Sequence, residues 1–137
     1  MYSNIMVPVD LQHPGELTKA LKTAADLAKH FDATITYVGV TAEQPTSISH
    51  NPAEYTQKLQ AFADEQGTAN GIRTAAHAAP SHDPSVDLDD VLLRAVKDTG
   101  CDLVVMMTHH PSIIDRLWSS HGGKIASRAD TSVFLVR

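Results

Sequence analysis

Little in this chain could staple, span or clamp. A single cysteine, Cys101, rules out an intrachain disulfide and a cysteine-rich zinc site, and it suits a reducing compartment. There is no basic excess: 11 Lys and Arg face 16 Asp and Glu, a formal net charge of -5. A protein that binds nucleic acid through its phosphates needs cations to replace counterions, so that class is excluded. The longest uninterrupted apolar run, Leu103 to Met107, is far too short to cross a bilayer. Met1-Tyr2-Ser3-Asn4 opens without a basic segment or long apolar core, so no signal peptide is expected. No internal repeat or low-complexity stretch interrupts the 137 residues. That length fits one domain, residues 1–137, able to bury its own core. The expectation is a mildly acidic, cytoplasmic, soluble domain.

What is present alternates. Ile5-Met6-Val7-Pro8-Val9-Asp10 reads as a buried first strand, with Pro8 near its end where a missing N–H is tolerated. Leu17, Leu21, Ala24, Ala25, Ala28 and Phe31 recur at helical spacing. Residues 34–40 form a β-branched second strand, and Asn51-Pro52 supplies an N-cap and first helical residue. Tyr55, Leu59, Phe62 and Ala63 give that second helix its apolar stripe, which ends over 67–71. A weak third strand over 72–78 leads through a 79–84 loop into a third helix. That helix carries Leu88, Val91, Leu92, Ala95 and Val96, with Asp87, Asp89 and Asp90 assigned to its first turn. Residues 102–107 are apolar on both faces, so they read as an interior strand. A last helix over about 120–128 and a strand over 132–137 complete a β-α-β-α-β-α-β-α-β order. Such alternation predicts an α/β fold: an open five-stranded parallel sheet with helices on both faces, its ligands beyond the carboxyl ends of the strands.

Three constellations fall at those ends. Asp10 can accept hydrogen bonds from an adenine amine or a ribose hydroxyl, or it caps the following turn. Thr108-His109-His110-Pro111-Ser112 and Ser119-Ser120-His121-Gly122-Gly123-Lys124 offer hydroxyls, imidazoles and helix-start N–H groups to an anion, with Lys124 either nearby or solvated. Neither a Walker A loop nor a G-x-G-x-x-G follows the first strand. The eight histidines include His109, His110 and His121, which could approach one another, and His50, His77 and His82 in or near other loops. No H-x-x-x-H or C-x-x-C spacing accompanies them, so no metal site is predicted. Cys101 opens a buried strand and reads as packing, and no G-x-S-x-G elbow supports a serine nucleophile.

Residues 5–10, 102–106 before a Thr-His loop, and 132–137, taken together and in this order, resemble the universal stress protein family over the whole chain. The resemblance implies that family's Rossmann-like fold and, in many members, ATP binding through a G-x-x-G-x9-G-[ST] loop. Carried over, the motif puts its first glycine on Met107, its second on His110 and its closing pair on Ser119-Ser120, with eight intervening residues instead of nine. All three glycines are replaced, Ser120 is kept, and His109 keeps the family's histidine. The shortening and Pro111 look like the F/G-type branch, which can still bind ATP; the doubled histidines and paired serines look like the A-type branch, which does not. The glycines let backbone N–H groups approach phosphate oxygens, so Met107 and His110 alter the phosphate end. The adenine end implied by the resemblance is Pro8, Val9, Asp10 and Val40. The expectation is an adenine-nucleotide-binding regulatory module for ATP or AMP, with Met107, His109, His110, Ser119, Ser120 and His121 completing the site. The alternatives are a module that works by dimerisation and partner binding without nucleotide, or a weak ATP hydrolase in which His109 or His110 polarises a phosphate. A homodimer through 132–136 is expected, because Val133, Phe134 and Leu135 form an apolar edge that pairing would cover.

Overall fold

A computed structural model describes residues 1–12, 14–42, 51–107 and 121–137, without the side chains of residues 14, 16, 84, 85 and 121–123. Strand β1 (Asn4–Val9) leads through a 3-10 turn (Pro14–Leu17) into α1 (Thr18–Phe31). Then come β2 (Thr34–Ala42), α2 (Pro52–Asn70), β3 (Thr74–Ser81), α3 (Pro84–Thr99), β4 (Leu103–Met107), α4 (His121–Arg128) and β5 (Ser132–Val136). All pairings are parallel, in the order β3-β2-β1-β4-β5. The sheet is therefore the open, five-stranded parallel one that the alternation predicts.

Side-chain alternation divides the core into two layers. Ile5, Val7, Val9, Ile35, Tyr37, Leu103, Val105 and Met107 pack with α1 and α2 on one face. Met6, Val38, Val104 and Met106 pack with α3 and Ile125 of α4 on the other. Burial on both faces is why β1 and β4 read as continuous apolar runs.

Local chemistry sets the boundaries. The Asn51 side chain accepts a hydrogen bond from the Glu54 N–H at 2.8 Å, with Pro52 following, as the sequence predicts for a helix start. Gly71 closes α2 in the left-handed region at φ +65°, where a Cβ would be strained. Three expectations are corrected. The third strand runs over Thr74–Ser81 instead of 72–78, because pairing with β2 from Ile35↔Thr74 to Ala42↔Ser81 draws the first part of the expected 79–84 loop into the sheet. Helix α3 starts at Pro84, so of Asp87, Asp89 and Asp90 only Asp87 lies in the first turn. Residues 14–17 form a separate 3-10 turn, so α1 itself begins at Thr18 instead of Leu17.

One core hydroxyl is misplaced energetically. Tyr37 is fully buried edge-on to Phe62, and its Oη finds no hydrogen-bond partner among the described residues. Burial pushes its phenol up to about 12. An orphaned buried donor costs roughly 1–3 kcal/mol, so Tyr37→Phe is expected to raise the thermal midpoint, not lower it. Differential scanning calorimetry of the two proteins measures this directly.

Candidate functional site

The crevice forms where two ladders end at different places. β1 pairs with β2 through six residues, from Asn4↔Thr34 to Val9↔Gly39. It pairs with β4 over only two, Ile5↔Leu103 and Met6↔Val104. Beyond Met6 the two strands are no longer paired with each other, although each keeps its outer partner. Pro8 falls in this stretch, where the N–H it lacks has least to do. Because β1 and β4 are the strands at which the chain order reverses, this is the topological switch point, the place where open parallel sheets take ligands.

Asp10 stands at the lip of the crevice, half-buried. Its Oδ1 accepts a hydrogen bond from the Gln12 N–H at 2.9 Å, so one oxygen caps the turn after β1, as one of its two readings holds. A carboxylate has acceptor capacity beyond one such bond. Val9 and Val40 sit on neighbouring strands but on opposite faces: Val9 is buried with α1 and α2, while Val40 packs partly against the α3 and α4 layer. Their side chains do not make one common wall. Pro8 is buried within β1. Met107, at the last position of β4, is 7% exposed and packs into the α1–α2 core, so its side chain is an element of the fold. His121 is the first residue of α4. His109, His110, Ser119 and Ser120 lie outside the described residues.

Two further expectations resolve. Lys124 is neither free for an anion nor simply solvated: its Nζ lies 3.6 Å from the Asp89 carboxylate, an ion pair tying α4 to α3. Cys101 is buried, and burial raises its thiol, with the neighbouring Asp102 charge adding to that and hydrogen bonds opposing it. It is a packing residue. Among the described residues no group of three or more His, Cys, Asp or Glu could hold a metal ion, and no helix is long and apolar enough to cross a membrane.

Sequence reasoning missed one side chain at this end of the sheet. Tyr55, in the first part of α2, was read only as part of an apolar stripe. It lies over Gly39 of β2 so closely that a Cβ on Gly39 would come within 2.2 Å of the Tyr55 Oη. Gly39 is the β2 neighbour of Val9, so the phenol stands beside the strand end that carries Asp10. Burial, and after it the Asp10 charge, push the Tyr55 phenol well above its ordinary value. The available signal was a lone glycine inside an alternating strand, which marks a close approach.

The universal stress protein family profile matches residues 1–137. The chain belongs to the universal stress protein family. Solved structures bear the same fold at low identity. A universal stress protein from Archaeoglobus fulgidus in complex with dAMP superposes with a TM-score of 0.68 at 15% identity, covering 99% of this chain and 98% of that one. A universal stress protein family protein from Arabidopsis thaliana with AMP bound gives 0.67 at 15%, covering 98% and 90%. A universal stress protein in complex with cAMP gives 0.70 at 17%, covering 99% and 97%. In this universal stress protein, the identities carry the likeness of fold alone.

Proposed function

We propose that this universal stress protein is a cytoplasmic regulatory module that binds an adenine nucleotide, ATP or AMP, at the carboxyl ends of β1 and β4. The observation that carries the reading is the divergence of β1 from β4 after Met6↔Val104, with Asp10 at its lip. The nucleotides bound by the Archaeoglobus and Arabidopsis proteins, dAMP and AMP, support the choice of ligand class. Asp10 would take the sugar or base, and the residues of the 108–121 stretch would take the phosphates through hydroxyl, imidazole and backbone N–H groups. A net charge of -5 repels a polyphosphate over distance, so affinity has to come from those local donors.

Isothermal titration with ATP and with AMP tests the reading. A saturable heat that Asp10→Ala weakens about tenfold is the expected outcome. The absence of heat with either nucleotide at sub-millimolar protein favours the second reading, a module that acts by dimerisation and partner binding without nucleotide. That alternative rests on the three replaced glycines of the family motif, at Met107, His110 and Ser119.

Either reading includes a homodimer through 132–136. β5 is an edge strand, and Phe134 and Leu135 keep 44% and 38% of their surface exposed on it. An exposed apolar edge is a template for a second strand, and a two-fold mate would cover it. Sedimentation equilibrium on the calorimetry sample reads the dimer.

A further inference from the structure

Tyr55 carries chemistry that its place in the fold does not use. The ring is 8% exposed and packs in the α1–α2 layer beside Val9, which accounts for its apolar body. The hydroxyl is a different matter. It makes no hydrogen bond among the described residues, yet it is not one of the sealed hydroxyls, those of Tyr37 and Ser81, that lack a partner among those residues. A phenylalanine would fill the same packing role without bringing a donor over Gly39. β2 also gives up a side chain at Gly39 to let this oxygen in.

The neighbourhood defines what such a donor can meet. Gly39 pairs with Val9, and Asp10 follows Val9 at the strand end, so the Tyr55 phenol, reaching from α2 over Gly39, and the Asp10 carboxylate lie near the neighbouring carboxyl ends of β2 and β1, close enough for the Asp10 charge to act on the phenol. Strand neighbours are about 4.8 Å apart, which brings groups on the two strand ends within reach of one small ligand fragment. The phenol O–H donates, and the carboxylate only accepts. A fragment with an acceptor and a donor on adjacent atoms satisfies both groups at once. A vicinal diol does this: one hydroxyl oxygen accepts while the other O–H donates.

We propose that Tyr55 is a specificity-determining residue of the nucleotide site, its phenol donating to the 2′-hydroxyl of a ribose cis-diol whose 3′-hydroxyl donates to Asp10. The inference rests on the nucleotide-binding reading and deepens it, by making the site selective for ribonucleotides over 2′-deoxyribonucleotides. The phenol positions the sugar through a bond that a deoxyribose cannot complete, because the diol is broken.

Titrating wild type and Tyr55→Phe with AMP and with 2′-deoxy-AMP tests it. Wild type is expected to prefer AMP by about tenfold, the worth of one hydrogen bond in a largely desolvated site. In Tyr55→Phe that preference should fall to near unity while the affinity for 2′-deoxy-AMP stays unchanged. The unchanged deoxynucleotide affinity shows that the site is still folded, and a purely structural tyrosine would not alter the ratio. A variant that keeps the wild-type preference overturns the role of Tyr55, as does a wild type with no preference to lose; both leave nucleotide binding standing. Wild type that binds neither ligand overturns the nucleotide reading and this inference together.

Discussion

Replacing Gly39 with alanine is expected to lower stability by about 2–3 kcal/mol, the upper part of the range for forcing a methyl into a packed site. The added Cβ would lie 2.2 Å from the Tyr55 Oη and 2.9 Å from two carbons of its ring. Neither side gives easily: Gly39 is held in the ladder between β1 and β3, and Tyr55 sits on α2 with little room to turn. The cause can be isolated. In a Tyr55→Ala background the same Gly39→Ala change should cost little or even stabilise, since alanine loses less backbone freedom than glycine on folding. Urea unfolding of the four proteins in the cycle gives the coupling, expected to exceed about 1 kcal/mol. Equal costs in both backgrounds would mean that the tyrosine is not what excludes a side chain from β2.

The second large effect lies at the opposite end of the sheet. Asp102, just ahead of β4, accepts hydrogen bonds from the Ser3 N–H at 2.9 Å, the Ser3 hydroxyl at 3.1 Å and the Asn4 N–H at 3.1 Å. The Asn4 side chain continues the network, donating to the Thr99 carbonyl at 2.7 Å and accepting from the Thr36 hydroxyl at 3.1 Å. One carboxylate thus ties the entry of β1 to the entry of β4, where their ladder is short. Partial burial disfavours its charge, but the bonds from Ser3 and Asn4 outweigh that and hold the carboxyl below its usual range. Asp102→Ala is expected to cost about 1–3 kcal/mol at neutral pH, since it strips the partners from two backbone donors. The pH dependence follows from the direction of the shift. A folded carboxyl below its unfolded value of about 3.9 adds stability that is fully present above that value and is lost as pH falls through the folded one. The gap between wild type and variant should therefore be constant from neutral pH down to about 5 and close in stronger acid. Thermal melts across that range measure it; a gap that stays open well below pH 3 would contradict the assignment.

Much of this architecture is legible in the residues, and the reasons differ by element. β1, β2 and β4 announce themselves because strands buried on one or both faces carry apolar or β-branched runs, and β5 by an apolar run that its edge position leaves largely exposed. Asn51-Pro52 marks a helix start because cap chemistry is local. The third strand is blurred because its alanines have weak strand preference, and partnership with β2, a tertiary fact, decides where it ends. At the site, Asp10 is readable from its place after the first strand, and its placement at a switch point follows from the alternation. Tyr55 is not readable from its own spacing. A tyrosine in a helical stripe counts as apolar until the fold shows which end of it meets a strand, and here a glycine sixteen residues earlier in the chain makes the room. The placement of Val9 and Val40 on opposite faces is likewise a matter of how β1 and β2 are registered, which neither segment states alone.

The strand order has a consequence for the nascent chain. β1, made first, ends in the middle of the sheet, with β2 on one side and β4 on the other. The β3-β2-β1 half can assemble once Ser81 has left the ribosome, but the second edge of β1 must wait for Leu103 to Met107. At roughly 5–20 residues per second, synthesis of the intervening stretch takes on the order of one to a few seconds. Throughout that interval Ile5–Val9 forms a bare apolar edge in a tethered, half-built sheet, the kind of surface that captures other unfinished chains. The link between Asp102 and Ser3–Asn4 closes the gap from its far end, so the residue just ahead of β4 helps to end the exposure of β1.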